Sequence, residues 1–175
     1  MALKADRHEL DVDISYFYNA GTAERGGIVC LASAAGSGAA MDQAGQKVSY
    51  QAATTSTIAV GVLLNDVVNL DLTRQHINWH KDEVQKGGKV SILKKGYVVT
   101  NNVNTTTAIT AGALAYLDDT TAGHFAMKAQ VADTKYMQVG RFMSKVDEDG
   151  YVKVEVNLPA AQQSSYAADE TVGLI

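Results

Sequence analysis

The sequence predicts an all-β fold: a small barrel or sandwich of short strands, with extended N- and C-terminal arms and one inserted loop or short helix. Three observations carry this. Short runs rich in Val, Ile and Tyr (IVCLAS, KVSYQA, IAVGVLL, KVSILKKGYVVT, ALAYL, YMQVGRFM and YVKVEVNL) are bounded by Gly, Asn, Asp and Thr, the composition of strands cut by turns. No long window carries an apolar stripe at helical spacing. Glycines stand inside the runs at Gly61, Gly96 and Gly140, as at bulges or tight corners of a curved sheet.

The elements follow in order. Residues 1–24 read as an N-terminal arm, residues 25–158 as the β domain with an insertion at about 66–88, and residues 159–175 as a C-terminal arm. In the first segment a polar start leads to Tyr16, Phe17 and Tyr18 and then a Gly-rich turn. Two readings compete there: a first strand burying alternate rings in its own core, or an arm whose rings dock on a neighbour, since aromatic residues are favoured interface anchors. On the second reading, removing residues 1–19 leaves the domain folded. RGGIVCL (25–31) and AGALAYL (111–117) share the frame Gly-x-apolar-x-x-Leu, and each is followed by a Val-Gly run, VGVLL (60–64) and VGRFM (139–143). This suggests a pseudo-repeat in which a turn opens a strand and a Val-Gly strand returns. The small-residue stretch at 31–46 lacks the GxxxxGK[ST] frame of a phosphate loop and reads as a loop. Short helices are expected around 70–84 and 129–136. YVKVEVNL alternates apolar Val152, Val154 and Val156 with polar neighbours after the turn DEDG, so one face of that strand is apolar. Pro159, the chain's sole proline, ends it because it cannot donate to a ladder. The tail beyond carries two sticky places, Tyr166 and Val172–Ile175.

The chemistry-bearing residues lead nowhere catalytic. His76 and His80 in TRQHINWHKDEV have the spacing of two zinc ligands on a helix, but the HExxH frame is missing. The interleaved Ile77 and Trp79 favour structural histidines on a pinned connecting excursion. Cys30 is the only cysteine and lies in an apolar run, where it reads as a small buried hydrophobe. Asp118–Asp119 and the acids at 147–149 look like exposed turns rather than a glycosidase pair or a calcium loop. No serine sits in a GxSxG elbow. The expectation is no enzyme, no metal and no cofactor. A chain of 175 residues with 46% hydrophobic and 19% charged residues is globular in composition, and its net charge of −4 sits poorly with nucleic-acid binding. The lysines at 86, 89, 94 and 95 read as a solvated face. No secretory leader or membrane span is expected.

The combination of RGGIVCL, AVGVLLNDVV, KGGKVSILKKGYVVTN, AGALAYL and QVGRFMSKVDEDGYVKVEVNL resembles the capsid decoration, or cement, proteins of tailed bacteriophages. The resemblance spans about residues 25–158, with LLNDVVNLDLTRQHINWHKDEVQKGGKV resembling an insertion between two barrel strands. It implies a structural virion protein on the capsid exterior, made in the host cytoplasm. Such a protein binds the major capsid protein and bridges neighbouring subunits to stiffen the head. Its implied partners are that capsid protein and itself, with a homo-trimer favoured over a dimer, and neither nucleic acid nor membrane. Tyr16, Phe17, Tyr18, Trp79 and Tyr166 are the candidate capsid or subunit contacts. Two alternatives stay open: a phage tail, fibre or collar component, and a carbohydrate-binding adhesion module that stacks sugars on Trp79 with Tyr97 or Tyr116.

Overall fold

The all-β expectation holds, and the reason the apolar runs are so continuous is that their strands are buried on both faces. The computed structural model describes residues 2–21, 23–32, 46–54, 57–67, 83–84, 86–127 and 137–158. In chain order the strands are β1 (His8–Tyr18), β2 (Ala23–Glu24), β3 (Ile28–Leu31), β4 (Gln46–Tyr50), β5 (Ala59–Val67), β6 (Glu83–Val84), β7 (Lys89–Thr100), β8 (Val103–Asn104), β9 (Leu114–Leu117), β10 (Phe125–Ala126), β11 (Gln138–Phe142) and β12 (Val152–Asn157). Each run predicted as a strand is one. Of the expected helices, residues 83–84 form β6; the rest of 70–84, and 129–136, lie outside the described residues.

One 10-stranded sheet runs β1-β4-β3-β5-β7-β12-β11-β9-β10-β8, and β1 also pairs with β7. The ladders β1–β4, β4–β3, β3–β5, β5–β7 and β7–β1 therefore close a circuit, and β12 to β8 extend from β7. Two apolar clusters result. Tyr16, Tyr18, Val29, Val48, Leu63, Val90 and Ile92 belong to one. Ile28, Cys30, Val62, Leu64, Leu93, Val98, Phe125, Val139, Phe142 and the valines of β12 belong to the other. Successive residues of β3, β5 and β7 alternate between the clusters, as the period of a strand requires. A wall buried on both sides has no polar face, so it reads as an unbroken apolar run. β12 lies against one cluster only and shows the alternation expected of it.

The pseudo-repeat is visible in the pairing. β3 pairs antiparallel with β5, Ile28 opposite Val62 and Val29 opposite Gly61. β9 pairs antiparallel with β11, Gly140 opposite Ala115. In each half the opening strand meets its Val-Gly return, with a register shift beside the glycine. Gly96 marks a third irregularity: its φ is 148°, and a β-carbon there would strike the carbonyl oxygen of His8. The register between β1 and β7 shifts at the residue pair beside it.

The N-terminal 24 residues are not a separate arm. His8–Tyr18 pairs with β7 along its length and in parallel with β4 at Tyr16–Tyr18. Ahead of it Leu3 bridges Thr100, the Lys4 amide donates to Val99 and the Asn101 amide to Ala2. Ala2 and Leu3 are buried. The physical reason is that β7 needs a partner on the side away from β5 and β12, and that Tyr16 and Tyr18 contribute their rings to the core inside the circuit. Residues 159–175 and most of the 66–88 insertion lie outside the described residues.

Candidate interaction surface

The glycine turn that opens β3 is pinned by Tyr50, a side chain that no motif singles out. The Tyr50 hydroxyl accepts from the Gly27 amide at 3.1 Å and donates to the Glu24 carbonyl, and its ring meets Tyr18 edge-on at 6.0 Å. Burial pushes the Tyr50 phenol well up from its ordinary range. The buried Thr100 hydroxyl donates to the Gly26 carbonyl at 2.9 Å. These contacts fix the turn without placing a reactive group in an open cleft.

Among the described residues, Cys30, Asp118 and Asp147 are spent on structure. Cys30 is fully buried, and burial pushes its thiol up to about 12, so it is an inert core residue. Asp118 is buried, and its Oδ2 accepts from Asn104 at 2.8 Å, the Thr120 hydroxyl at 2.8 Å and the Thr121 amide at 3.0 Å. It holds the turn between β9 and β10, where the sequence suggested an exposed acid. Asp147 accepts from the Asp149 and Tyr151 amides and from Lys4, so the DEDG acids do shape a turn. Among the described residues no group of three or more His, Cys, Asp or Glu could hold a metal, and no helix is long and apolar enough to cross a membrane. His76 and His80 lie outside them.

What the fold does offer is a surface. Leu10 is 58% exposed, Val12 36% and Ile14 52%, three large aliphatic side chains at alternate positions of β1. Scattered exposed apolar residues are ordinary, but three within five residues of one strand suit an interface. Its backbone is also available. Among the described residues, His8–Ser15 is paired only with β7, because β4 meets β1 no earlier than Tyr16. An edge strand of this kind is a template for a further strand.

Electrostatics fix the strip in place. Asp13 lies opposite Ile92 and its Oδ2 pairs with Lys94 Nζ. Its Oδ1 accepts from the Ser15 amide at 2.8 Å. Partial burial alone would raise the Asp13 carboxyl; the bonds from Lys94 and Ser15 outweigh it and bring the group down from 3.8 to about 2. Lys94 is raised, chiefly by the Asp13 bond. A carboxyl depressed in the folded state stabilises above its unfolded pKa and loses that contribution as pH falls through the folded one. Asp13→Asn is therefore expected to destabilise the protein at pH 7, and the difference from wild type is expected to shrink as pH falls from about 4 towards 2. Denaturant melts of both proteins across that window check this, with Lys94→Met as the partner control. A difference that stays constant with pH would exclude the ion pair as its source.

Of the predicted contact residues, Tyr16 and Tyr18 are buried in the chain's own core and Phe17 is half-buried. The two tyrosine rings are thus committed within the subunit, and the outward-facing residues of β1 precede them. Trp79 and Tyr166 lie outside the described residues. Tyr97, named for a sugar platform, is half-buried and stacks on His8 at 6.5 Å with Lys153 over its ring. The aliphatic strip escaped the sequence reading because HELDVDI intersperses each apolar residue with an acid and resembles a solvated segment.

A search of curated proteins found no match. A family model described as "structural cement protein (E217 gp24/Pam3 gp6)" matches residues 11–157. The match begins inside β1 and ends with β12, so it covers the closed circuit and its extension as one unit, strand β1 included. It makes the protein's role structural and associates it with the phage capsid. The chain belongs to the phage structural cement protein family.

Proposed function

We propose that this protein binds the outer surface of the capsid and bridges neighbouring major capsid subunits, with β1 as a capsid-facing element. The observation that supports this reading best is the exposed Leu10, Val12 and Ile14 on a strand whose Tyr16 and Tyr18 are locked into the core. An apolar strip on a flexible arm would lose much of its binding energy to ordering; on β1 the ordering is done in advance. A shell pressed from within by packed DNA fails where subunits separate. A clip across that seam adds buried area that separation must expose again, and a specific interface needs on the order of 1,000 Å². Repetition over many symmetric copies makes the effect cumulative. A homo-trimer at a local symmetry axis, favoured over a dimer, would let each copy touch more than one capsid subunit. Synthesis in the host cytoplasm and a place on the capsid exterior complete the proposal.

The test is the Leu10→Ser/Ile14→Ser variant. Both side chains are already half out of water in the free chain, so folding is expected to be little affected. Burying what remains of each is worth about 1 kcal/mol, so occupancy on DNA-filled heads is expected to fall by about tenfold or more. Titration of purified heads with wild type and variant, read by gel densitometry or particle imaging, measures it. Equal occupancy at limiting concentration would remove β1 from the capsid interface.

A further inference from the structure

We infer that a polar cavity on the outer face of β9, β11 and β12 is a binding site for a neutral pyranose, a single ring of a sugar. Its walls are Leu114, Gln138, Gly140, Arg141, Glu155 and Asn157, and its volume is about 250 Å³. None of these residues belongs to β1, so the cavity is separate from the surface proposed to meet the capsid. Neither Tyr97 nor Tyr116 lines it.

A bulge in β11 builds the cavity. Residues three apart on a regular strand face opposite sides of the sheet, yet Gln138 and Arg141 both line this one space. Between them the register slips: Gln138 lies opposite Tyr116, but Gly140 lies opposite Ala115 and Arg141 opposite Leu114. The extra residue leaves Val139 and Gly140 both buried and returns Arg141 to the side of Gln138. Bulges re-aim side chains in this way. Gly140 adds backbone only, since a β-carbon on it would strike the Glu155 carbonyl oxygen. From β12, Glu155 and Asn157 project from the face away from the buried Val154 and Val156, and Glu155 lies opposite Arg141.

The donors and acceptors select the ligand. A guanidinium donates only, an ionised carboxylate accepts only, and the two amides do both. Among the described residues, the one hydrogen bond made by these four side chains runs from Arg141 Nη1 to the Gly112 carbonyl at 3.1 Å. The remaining capacity faces the cavity's occupant. A hydroxyl also donates and accepts, and neighbouring hydroxyls on one ring can hold a planar amide, carboxylate or guanidinium by two bonds. With Arg141 facing Glu155, the cavity favours neither a net anion nor a net cation. A zwitterion would use those two charges and leave both amides idle. Leu114 offers an apolar patch to the C–H face of a ring. Pockets for drug-sized ligands hold about 300–1,000 Å³, so the smaller volume here limits the occupant to one ring.

The experiment records amide correlation spectra of the isotope-labelled full-length protein during addition of methyl α-D-glucopyranoside, methyl α-D-mannopyranoside or methyl β-D-galactopyranoside. At least one is expected to shift the amides of Gln138–Arg141 and Glu155–Asn157 saturably, with a Kd on the order of a few millimolar, as suits one ring held by a few hydrogen bonds. Sodium phosphate and glycine at equal concentration are expected to leave those amides in place. No saturable shift with any of the three sugars, larger shifts with phosphate or glycine, or shifts centred elsewhere would overturn the inference. Gln138→Ala/Asn157→Ala is expected to weaken the binding by about tenfold or more with an unchanged melting temperature. Should the double variant melt early, Asn157→Ala alone, at an exposed side chain, is expected to weaken it by about threefold or more. Wild-type affinity in a folded variant would overturn the assignment to this cavity. Capsid occupancy plays no part in these readouts, so failure here leaves the capsid proposal standing.

Discussion

Replacing Gly140 with alanine is expected to destabilise the protein by roughly 3 kcal/mol or more, the upper range of overpacking effects, and to lower the melting temperature by about 6–12 °C for a chain of this size. A β-carbon built on Gly140 collides with the Glu155 carbonyl oxygen and comes within 2.9 Å of its carbon and 3.2 Å of the Val156 α-carbon. All three are backbone atoms of β12, the strand on which β11 pairs, with Gly140 opposite Val156. A flexible side chain could rotate away; a ladder cannot without parting. Val139 and Phe142 on β11 and Val154 and Val156 on β12 share one core cluster, so movement of the ladder also opens that core. Thermal melts followed by circular dichroism measure the effect. Gly112→Ala serves as the control for added volume without a collision, since nothing lies within 4 Å of its β-carbon position, although its φ of 87° carries its own backbone cost. A Gly140→Ala protein that melts with the wild type would mean that the two strands are further apart than described.

The same glycine shows what the amino-acid order can and cannot reveal. A glycine inside a β-prone run marks a close approach or a bulge wherever it occurs, so Gly61, Gly96 and Gly140 announced irregularities without naming their partners. Seven of the strands were legible because β-branched runs ended in turn residues. The two-residue strands β2, β6, β8 and β10 were not legible: their length carries no periodicity, and they exist through partners elsewhere in the chain, β2 with β6, β8 with β10 and β10 with β9. β1 was half legible. Tyr16 and Tyr18 alternate as buried rings should, but Glu9, Asp11 and Asp13 dilute the preceding residues to the composition of a loop. That half is held by its ladder with β7 and by Lys94 on Asp13, both far away in sequence. The family resemblance was carried by turns and glycines, the features that set strand register. Exposure on the surface leaves no such pattern, so the rings of Tyr16 and Tyr18 stand out in the sequence and the exposed Leu10, Val12 and Ile14 do not.

Deletion of residues 1–19 tests that distinction with the largest expected effect: loss of the cooperative fold. An arm can be removed from a domain at little cost, whereas β1 closes the circuit between β4 and β7. The deletion takes away Leu3, which packs in one core cluster, and Tyr16 and Tyr18, which pack in the other. Truncating a single buried aromatic side chain costs about 3–5 kcal/mol and a buried leucine about 2–5 kcal/mol. A whole domain is stable by about 5–15 kcal/mol, so three such losses, with the edge of β7 stripped of its ladder, consume most or all of it. The truncated chain is expected to lack a sigmoidal thermal transition and to elute as aggregate. Tyr18→Ala alone should keep the transition but lower its midpoint by about 6 °C or more. The contrast with Leu10→Ser/Ile14→Ser separates the two roles of one strand. The surface variant should melt near the wild type and bind heads poorly; the deletion should fail to fold before binding can be asked about. A deletion protein that melts cooperatively near the wild-type temperature would show that the circuit closes without β1, and would return residues 1–19 to the status of an arm.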